Sequence, residues 1–340
     1  MKVIFVTGGA GFIGSAFVRL VLEETSDVKI INFDALTYAG NLDNLEGLDP
    51  KRHEFIHGNI ADKKAVLEAL PEDTDAIFNF AAESHVDRSI QSADEFLITN
   101  VLGTQVLLDA ARSKKVRRFV QISTDEVMGS LPEDSESFFT EDSPLRPNSP
   151  YAASKASAEL FVRAARETFG LDTIITRCGN NYGPRQFPEK LIPLMISNAM
   201  NNEPLPVYGD GKNIRDWIYV EDHCRAIWEI YEKGKSGHIY NIGARNERQN
   251  IEVVKAILDI LGKPYSLIRF VEDRPGHDRR YAIDPTKVET EIGWKPRIKW
   301  EEGLKQTILW YQNNQDWVER VRSGSYREYY QKLYGARLGL

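Results

Sequence analysis

Tyr151-Ala152-Ala153-Ser154-Lys155 sets a phenol and an ammonium four residues apart, and on a helix that spacing stacks both on one side. Pro150, just ahead, is a good opening residue for such a helix. A free phenol has a pKa of about 10 and is ionised roughly one part in a thousand at neutral pH, so it becomes a base only beside positive charge. Two further Tyr-x-x-x-Lys matches lack the geometry: Tyr208 and Lys212 straddle the turn Gly209-Asp210-Gly211, and Tyr231 and Lys235 run past Gly234.

Ser123-Thr124-Asp125-Glu126 closes an apolar run with two adjacent carboxylates. Neighbours in a regular strand point to opposite faces, so both can meet one substrate only if the chain turns here. If it does, mutual repulsion and unequal burial separate their pKa values and yield one acid and one base. A pair of solvated loop carboxylates is the plainer alternative.

Gly9-Ala10-Gly11-Phe12-Ile13-Gly14 fits G-x-G-x-x-G, follows an apolar strand and opens a helical pattern, and Asp34 stands twenty residues beyond Gly14. That context points to a dinucleotide: glycines let the backbone approach a pyrophosphate, the helix start offers unpaired N–H groups, and Asp34 takes the ribose hydroxyls. Asp34 would repel a 2′-phosphate, which favours NAD over NADP. His53-Glu54-Phe55-Ile56-His57 has the letters of the zinc motif H-E-x-x-H, which needs a helix. Bounded by Pro50 and Gly58, it fits a strand instead, and no metal is expected. His85, His223, His238 and His277 have no ligand spacing.

These groups need a scaffold, and 340 residues suffice for two packed units. With 43 basic and 50 acidic residues the net charge is −7, the wrong sign for a nonspecific nucleic-acid binder or an anionic membrane surface. Two cysteines are too few for a disulfide framework, and the first apolar run, Val3 to Val6, is far short of a signal or membrane segment. A cytoplasmic protein is expected.

Apolar runs alternate with amphipathic stretches through the first half, the pattern of repeated βαβ units. Strands are expected at Lys2–Thr7, Val28–Asp34, His53–Gly58, Ala76–Phe80, Arg118–Ser123 and Asp172–Arg177, with helices at Gly14–Glu24, Asp62–Leu70, Thr99–Ser113 and Tyr151–Phe169. The fold class is α/β, a Rossmann-type doubly wound parallel sheet with a smaller, irregular C-terminal domain. Residues 1–178 form the first domain, which also receives roughly 214–243. The remaining segments of 179–340 form the second, with 201–212 and 272–278 read as ligand-organising loops.

Taken together, the motifs make the chain resemble the extended short-chain dehydrogenase/reductase superfamily and, within it, the dTDP-glucose 4,6-dehydratases. The carriers are Thr7 to Ser15, Ala81-Ala82-Glu83-Ser84-His85-Val86-Asp87-Arg88-Ser89, Ser123 to Val127, Tyr151 with Lys155, Asn180-Asn181-Tyr182-Gly183-Pro184, Phe187-Pro188-Glu189-Lys190-Leu191 and Asp273-Arg274-Pro275-Gly276-His277-Asp278. The resemblance implies an NAD site of Gly8, Gly11, Phe12, Ile13, Gly14, Asp34, Ala35, Leu36, Thr37, Asn59, Ile60, Ala81, Ala82, Thr99 and Asn181, completed by Tyr151 and Lys155. It implies that Ser84, His85, Thr124, Asn180, Lys190, Leu191, Pro206, Val207, Tyr208, Arg215, Asn250, Asp273, Arg274 and His277 hold a nucleotide sugar. Asn59 and Met128 depart from the residues usual in the family, Asp and Tyr.

The implied reaction loses water across carbons 5 and 6 of a hexose. Tyr151 takes the carbon 4 hydroxyl proton as hydride passes to NAD, Glu126 removes the carbon 5 proton, Asp125 protonates the departing hydroxyl, and hydride returns to carbon 6. Thr124 and Lys155 orient and polarise. A nucleotide-sugar 4-epimerase needs no such acid/base pair, whereas a UDP-linked sugar 4,6-dehydratase uses the same machinery. A noncatalytic NAD-dependent scaffold has no reason to keep these five residues together. Relatives dimerise through two helices per subunit, here Thr99–Ser113 and Tyr151–Phe169, so a homodimer is expected.

Overall fold

Unbroken apolar runs such as Val3-Ile4-Phe5-Val6 cannot face water on either side, and here they lie inside a parallel sheet covered by helices on both faces. The computed structural model describes residues 1–134, 136–322, 330 and 334. In chain order its strands are β1 (Lys2–Thr7), β2 (Val28–Asp34), β3 (His53–His57), β4 (Thr74–Asn79), β5 (Arg118–Thr124), β6 (Thr173–Cys178), β7 (Asn180–Tyr182), β8 (Leu205–Tyr208), β9 (Ile214–Tyr219), β10 (Ile239–Ile242), β11 (Glu247–Gln249) and β12 (Ile268–Val271). The large sheet runs β10-β6-β5-β4-β1-β2-β3, every pairing parallel. The chain winds outward from β1 to β3, then returns to β4 on the other side of β1. A crevice therefore opens beyond the carboxyl ends of β1 and β4, where doubly wound folds bind ligands.

On one face the helices Phe12–Glu24 and Val220–Lys233 bury Phe17, Val21, Trp228 and Ile230 against Ile4, Val6, Phe78 and Val120. On the other, Lys63–Ala69, Thr104–Ser113 and Pro150–Phe169 bury Val66, Leu107 and Val162 against Phe5, Ile31 and Phe119. A second core joins Ile196, Trp217, Val254, Trp300 and Ile308 among the helices Leu191–Met200, Asn250–Leu261 and Trp300–Asn313. Two small sheets, β11-β9-β7 and β12-β8, lie in this half.

The expected strands of the first half all form, with end shifts of two residues or fewer, and the H-E-x-x-H run is β3. Three expectations change. The helix foreseen from Thr99 begins earlier, as a π-helical segment Leu97–Gly103 that passes into Thr104–Ser113. Its wide turn presents Asn100, whose amide grips Glu83 N and O, both at 2.9 Å, and Ser154 Oγ at 2.8 Å. The stretch 214–243 divides: the helix Val220–Lys233 and β10 join the large sheet, but β9 pairs with β7 and β11 in a small one. Within 201–212, read as a loop, Leu205–Tyr208 is a strand paired with β12. A proline-containing four-residue strand in a two-stranded ribbon leaves almost no periodicity to detect. Among the described residues no helix is long and apolar enough to cross a membrane.

Candidate active site

The crevice is lined by Gly8, Gly11, Phe12, Ile13 and Gly14 from the loop and helix start after β1, and by Asp34, Ala35 and Thr37 after β2. Asn59, Ile60, Ala81, Ala82 and Thr99 continue the same wall. Gly8 has φ +70, and a Cβ there would lie 2.6 Å from Ala81 N, so only glycine lets the loops after β1 and β4 touch. At Gly14 a Cβ would meet Gly8 O at 2.2 Å, which fixes the helix against the strand. That helix starts at Gly11 without a side-chain cap, leaving its first N–H groups free for an anion. Asp34 is buried at the crevice wall, accepting from Ala10 N at 2.9 Å and Leu36 N at 2.8 Å, and burial raises its pKa. These features fit NAD: an anion cradle, room kept by glycine, and a carboxylate at the end of β2.

Leu36 is not on the crevice lining; its backbone is left-handed, φ 50, and its amide donates to Asp34. Asn59 lines the cleft with its side-chain oxygen turned to Ala61 N. Asn181 lines it too, tied to Gly179 O at 3.2 Å and to His223 at 2.9 Å.

At the end of β5 the chain does turn. Thr124 caps the one-turn helix Asp125–Met128, its hydroxyl accepting from Glu126 N at 3.3 Å and donating to Asp125 at 3.3 Å. The turn brings Thr124, Asp125 and Glu126 into the same crevice as Tyr151 and Lys155. Asp125 is 2% exposed and one of its carboxyl oxygens has no hydrogen-bond partner. Burial, then the charge of Glu126, pushes its pKa well up, toward the protonated acid. Burial also raises the pKa of Glu126, against the opposing charges of Arg274, Arg215 and Lys190.

Pro150 opens the helix and Ser149 caps it, its hydroxyl accepting from Ala152 N at 3.1 Å. Tyr151 is hydrogen-bonded to Thr124. Lys155 donates to Ile122 O at 2.6 Å, and burial lowers its pKa to about 8 while Glu159 resists. Tyr151 itself goes the other way: burial, then the charges of Glu126, Cys178 and Asp125, hold its pKa well above the ordinary phenol. The chain alone therefore keeps this phenol protonated.

The residues foreseen for the sugar nucleotide divide by position. Ser84, Asn180 and Lys190 line the crevice, with Lys190 Nζ donating to Ser84 O at 2.8 Å. His85 does not; it is buried behind Ser84, 3.6 Å from Glu189 and 4.0 Å from Asp87. Leu191 packs on the second core, and Val207 is buried within it. Pro206 and Tyr208 share strand β8 with Val207, and the Tyr208 hydroxyl donates to Asp87 at 3.4 Å. Arg274 lies 3.6 Å from the same carboxylate. Arg215 is held by Asp278 O at 2.9 Å and lies over the ring of Tyr281 at 4.2 Å. His277 pairs with Asp273 at 2.6 Å, and burial lowers its pKa to about 4. Asn250 heads the helix Asn250–Leu261 with a buried side-chain oxygen that has no partner. The crevice as formed thus ends near Glu126 and Lys190, and the charges of Arg215 and Arg274 reach it through Glu126.

Tyr38, Glu83, Gln186, Phe187 and Glu189 also line the crevice, and none was singled out as a site residue. Glu83 and the Phe187–Glu189 run do lie inside motifs that carry the resemblance. Tyr38 directly follows the run Asp34 to Thr37 that the resemblance placed in the NAD site, but had no signal of its own.

A family model described as GDP-mannose 4,6 dehydratase matches residues 5–307. A dTDP-glucose 4,6-dehydratase of Xanthomonas campestris pv. campestris is 51% identical over 348 residues, 96% of this chain and 98% of the relative. Among solved structures, a dTDP-glucose 4,6-dehydratase of Streptomyces venezuelae with NAD bound matches at TM-score 0.90 and 48% identity, covering 94% of this chain and 100% of the other. A UDP-glucose 4-epimerase of Thermus thermophilus in complex with NAD shares the fold at TM-score 0.85 but only 30% identity, over 92% of this chain and 100% of the other. By sequence over nearly its whole length, and by structure, the chain belongs to the dTDP-glucose 4,6-dehydratase family.

Proposed function

We propose that the chain is an NAD-dependent hydro-lyase that converts dTDP-glucose to dTDP-4-keto-6-deoxy-glucose. The observation that carries the reading is the turn at Thr124, which puts two carboxyl groups, the second facing three cations, in one crevice with Tyr151 and Lys155. The N–H groups after Gly11 take the pyrophosphate of NAD, Asp34 the adenosine ribose, and Tyr151 and Lys155 flank the nicotinamide end. NAD held there would supply a hydride acceptor for carbon 4 and the hydride returned to carbon 6. Tyr151 Oη removes the proton of the carbon 4 hydroxyl, steadied by Thr124. The ketone so formed acidifies carbon 5, and the Glu126 carboxylate takes that proton. Asp125, protonated, gives its proton to the carbon 6 hydroxyl, which leaves as water, and Glu126 returns its proton to carbon 5 as hydride is delivered to carbon 6. Arg215, Arg274 and Lys190 supply positive charge for the substrate pyrophosphate, where a guanidinium can bind two oxygens at once.

An epimerase reading is not favoured, since oxidation and return at carbon 4 give Asp125 and Glu126 nothing to do. The test is to incubate the purified protein with dTDP-glucose and UDP-glucose and to follow the keto product by ultraviolet absorbance in alkali. With deuterium on carbon 4, label on the product methyl is expected. Unlabelled product, or a 4-epimer, contradicts the reading.

A homodimer is part of the proposal. The segment Leu97–Ser113 and the helix Pro150–Phe169 expose Leu97, Ile98, Leu102, Leu160 and Phe161, an apolar group that suits a helix-to-helix contact between two copies. Free thiols at Cys178 and Cys224, both buried, suit a reducing cytoplasm.

A further inference from the structure

Across the crevice runs a set of contacts that the dehydration chemistry does not use. Tyr38, in the loop after β2, meets the ring of Phe187 edge to face, with centroids 5.5 Å apart and planes at 87°. The Tyr38 hydroxyl is hydrogen-bonded to Glu189. The Arg88 guanidinium lies over the Tyr38 ring at 4.0 Å and reaches Glu189 at 3.5 Å. Glu189 has a side chain only 2% exposed, so its carboxylate depends on these neighbours for compensation. Burial raises its pKa to about 7, with Lys190, Arg88 and the Tyr38 hydrogen bond pulling the other way.

The participants come from three segments. Tyr38 belongs to the loop after β2, Arg88 to the helix Val86–Gln91 after β4, and Phe187 and Glu189 to the loop ahead of the helix Leu191–Met200. The first two hang from the large sheet, and the third from the second core. Tyr38, Phe187 and Glu189 line the same crevice as Gly11, Asp34 and Tyr151, so their contact ties two of the loops that form it.

We propose that Tyr38, Phe187, Glu189 and Arg88 form a latch that closes over the bound dinucleotide and sets how slowly it leaves. The inference rests on the NAD-dependent reading above and deepens it. Hydride taken at carbon 4 is returned at carbon 6, so the cofactor ends each turnover as it began and has no need to exchange. A closed latch therefore does not hinder turnover. Sugar nucleotides enter and leave at the Lys190 and Arg274 end, beyond it.

The test loads purified protein with radiolabelled NAD and times loss of label during a chase with unlabelled NAD. The parent should hold its label. Tyr38→Ala, which loses the aromatic pair and the cation–π contact, and Phe187→Ala, which loses the pair, should each release it about tenfold faster or more. Tyr38→Phe, which keeps both ring contacts, should fall between. Added NAD should restore dehydration in the alanine variants, and their thermal midpoints in saturating NAD should stay near the parent's. A variant with no cooperative thermal transition is set aside, and the other alanine variant, or Glu189→Gln if both fail, decides. Release within twofold of the parent in the deciding variant overturns the latch. A parent that neither binds NAD nor makes the keto sugar contradicts the dehydratase reading instead, a separate result.

Discussion

Asp125 and Glu126 are consecutive residues, and burial raises the pKa of both, but only Glu126 has three cations pulling against it. Asp125 is sealed beside Thr124 with an unpaired oxygen, while Glu126 faces three cations. Asp125→Asn keeps the shape and the Thr124 contact but has no acidic proton to give. Product formation should fall by about 10²–10⁴ while NAD bound per chain stays the same; undiminished dehydration would remove Asp125 as the acid. Lys155 makes a second prediction at this scale. Burial lowers its pKa to about 8, so it is charged below that value and neutral above. The kcat/KM profile should therefore fall as pH rises through about 8, and a flat profile from pH 7 to 9.5 would contradict a working ammonium. Tyr151 is pushed up by the protein around it, so its proposed role as a base requires further positive charge that the cofactor would bring. A tyrosinate difference titration should show Tyr151 ionising at lower pH in the NAD-loaded protein than in the stripped one, with Tyr151→Phe as the subtraction control.

The turn Asp125–Met128 and the helix Pro150–Phe169, which carry the proposed catalytic groups, are different elements and need a fixed spacing. Arg177 on β6 holds them together. Its guanidinium donates to Glu159 on the helix at 2.7 and 3.1 Å, to Glu141 O at 3.3 Å and to Met128 Sδ at 3.5 Å on the turn. Both side chains of the ion pair are 3% exposed. Removing one partner leaves a buried charge uncompensated, so Arg177→Met should cost roughly 3–5 kcal/mol in denaturant unfolding, and more than Arg177→Met with Glu159→Leu together. An equal cost for both variants would mean that the pair carries no charge balance. The existence of β6 and of this helix could be read from their apolar periodicity. Their pairing through Arg177 could not, because a lone arginine in an apolar strand has no partner until the fold supplies one 18 residues away.

For the whole molecule, the exposed group Leu97, Ile98, Leu102, Leu160 and Phe161 is the feature that a single copy leaves unresolved. Sedimentation of the parent should give a dimer, and Leu160→Glu with Phe161→Glu should give a monomer that still unfolds cooperatively. A dimer that survives both changes would place the interface elsewhere. The two halves of the chain also meet at the crevice, where the loop 186–190 from the second core faces loops from the large sheet.

The sequence by itself determined the parallel sheet, the dinucleotide loop, the carboxylate at Asp34 and the Tyr151–Lys155 pair. Each rests on local spacing, apolar runs for strands and fixed offsets on a helix, and local spacing survives any packing. Only the tertiary structure decided that Asp125 and Glu126 share a face, that His85 and Val207 stand behind the surface rather than on it, and that Tyr38 reaches Glu189. Those outcomes depend on burial and on contacts between distant segments, and burial is a property of the packed chain that no stretch of residues carries alone.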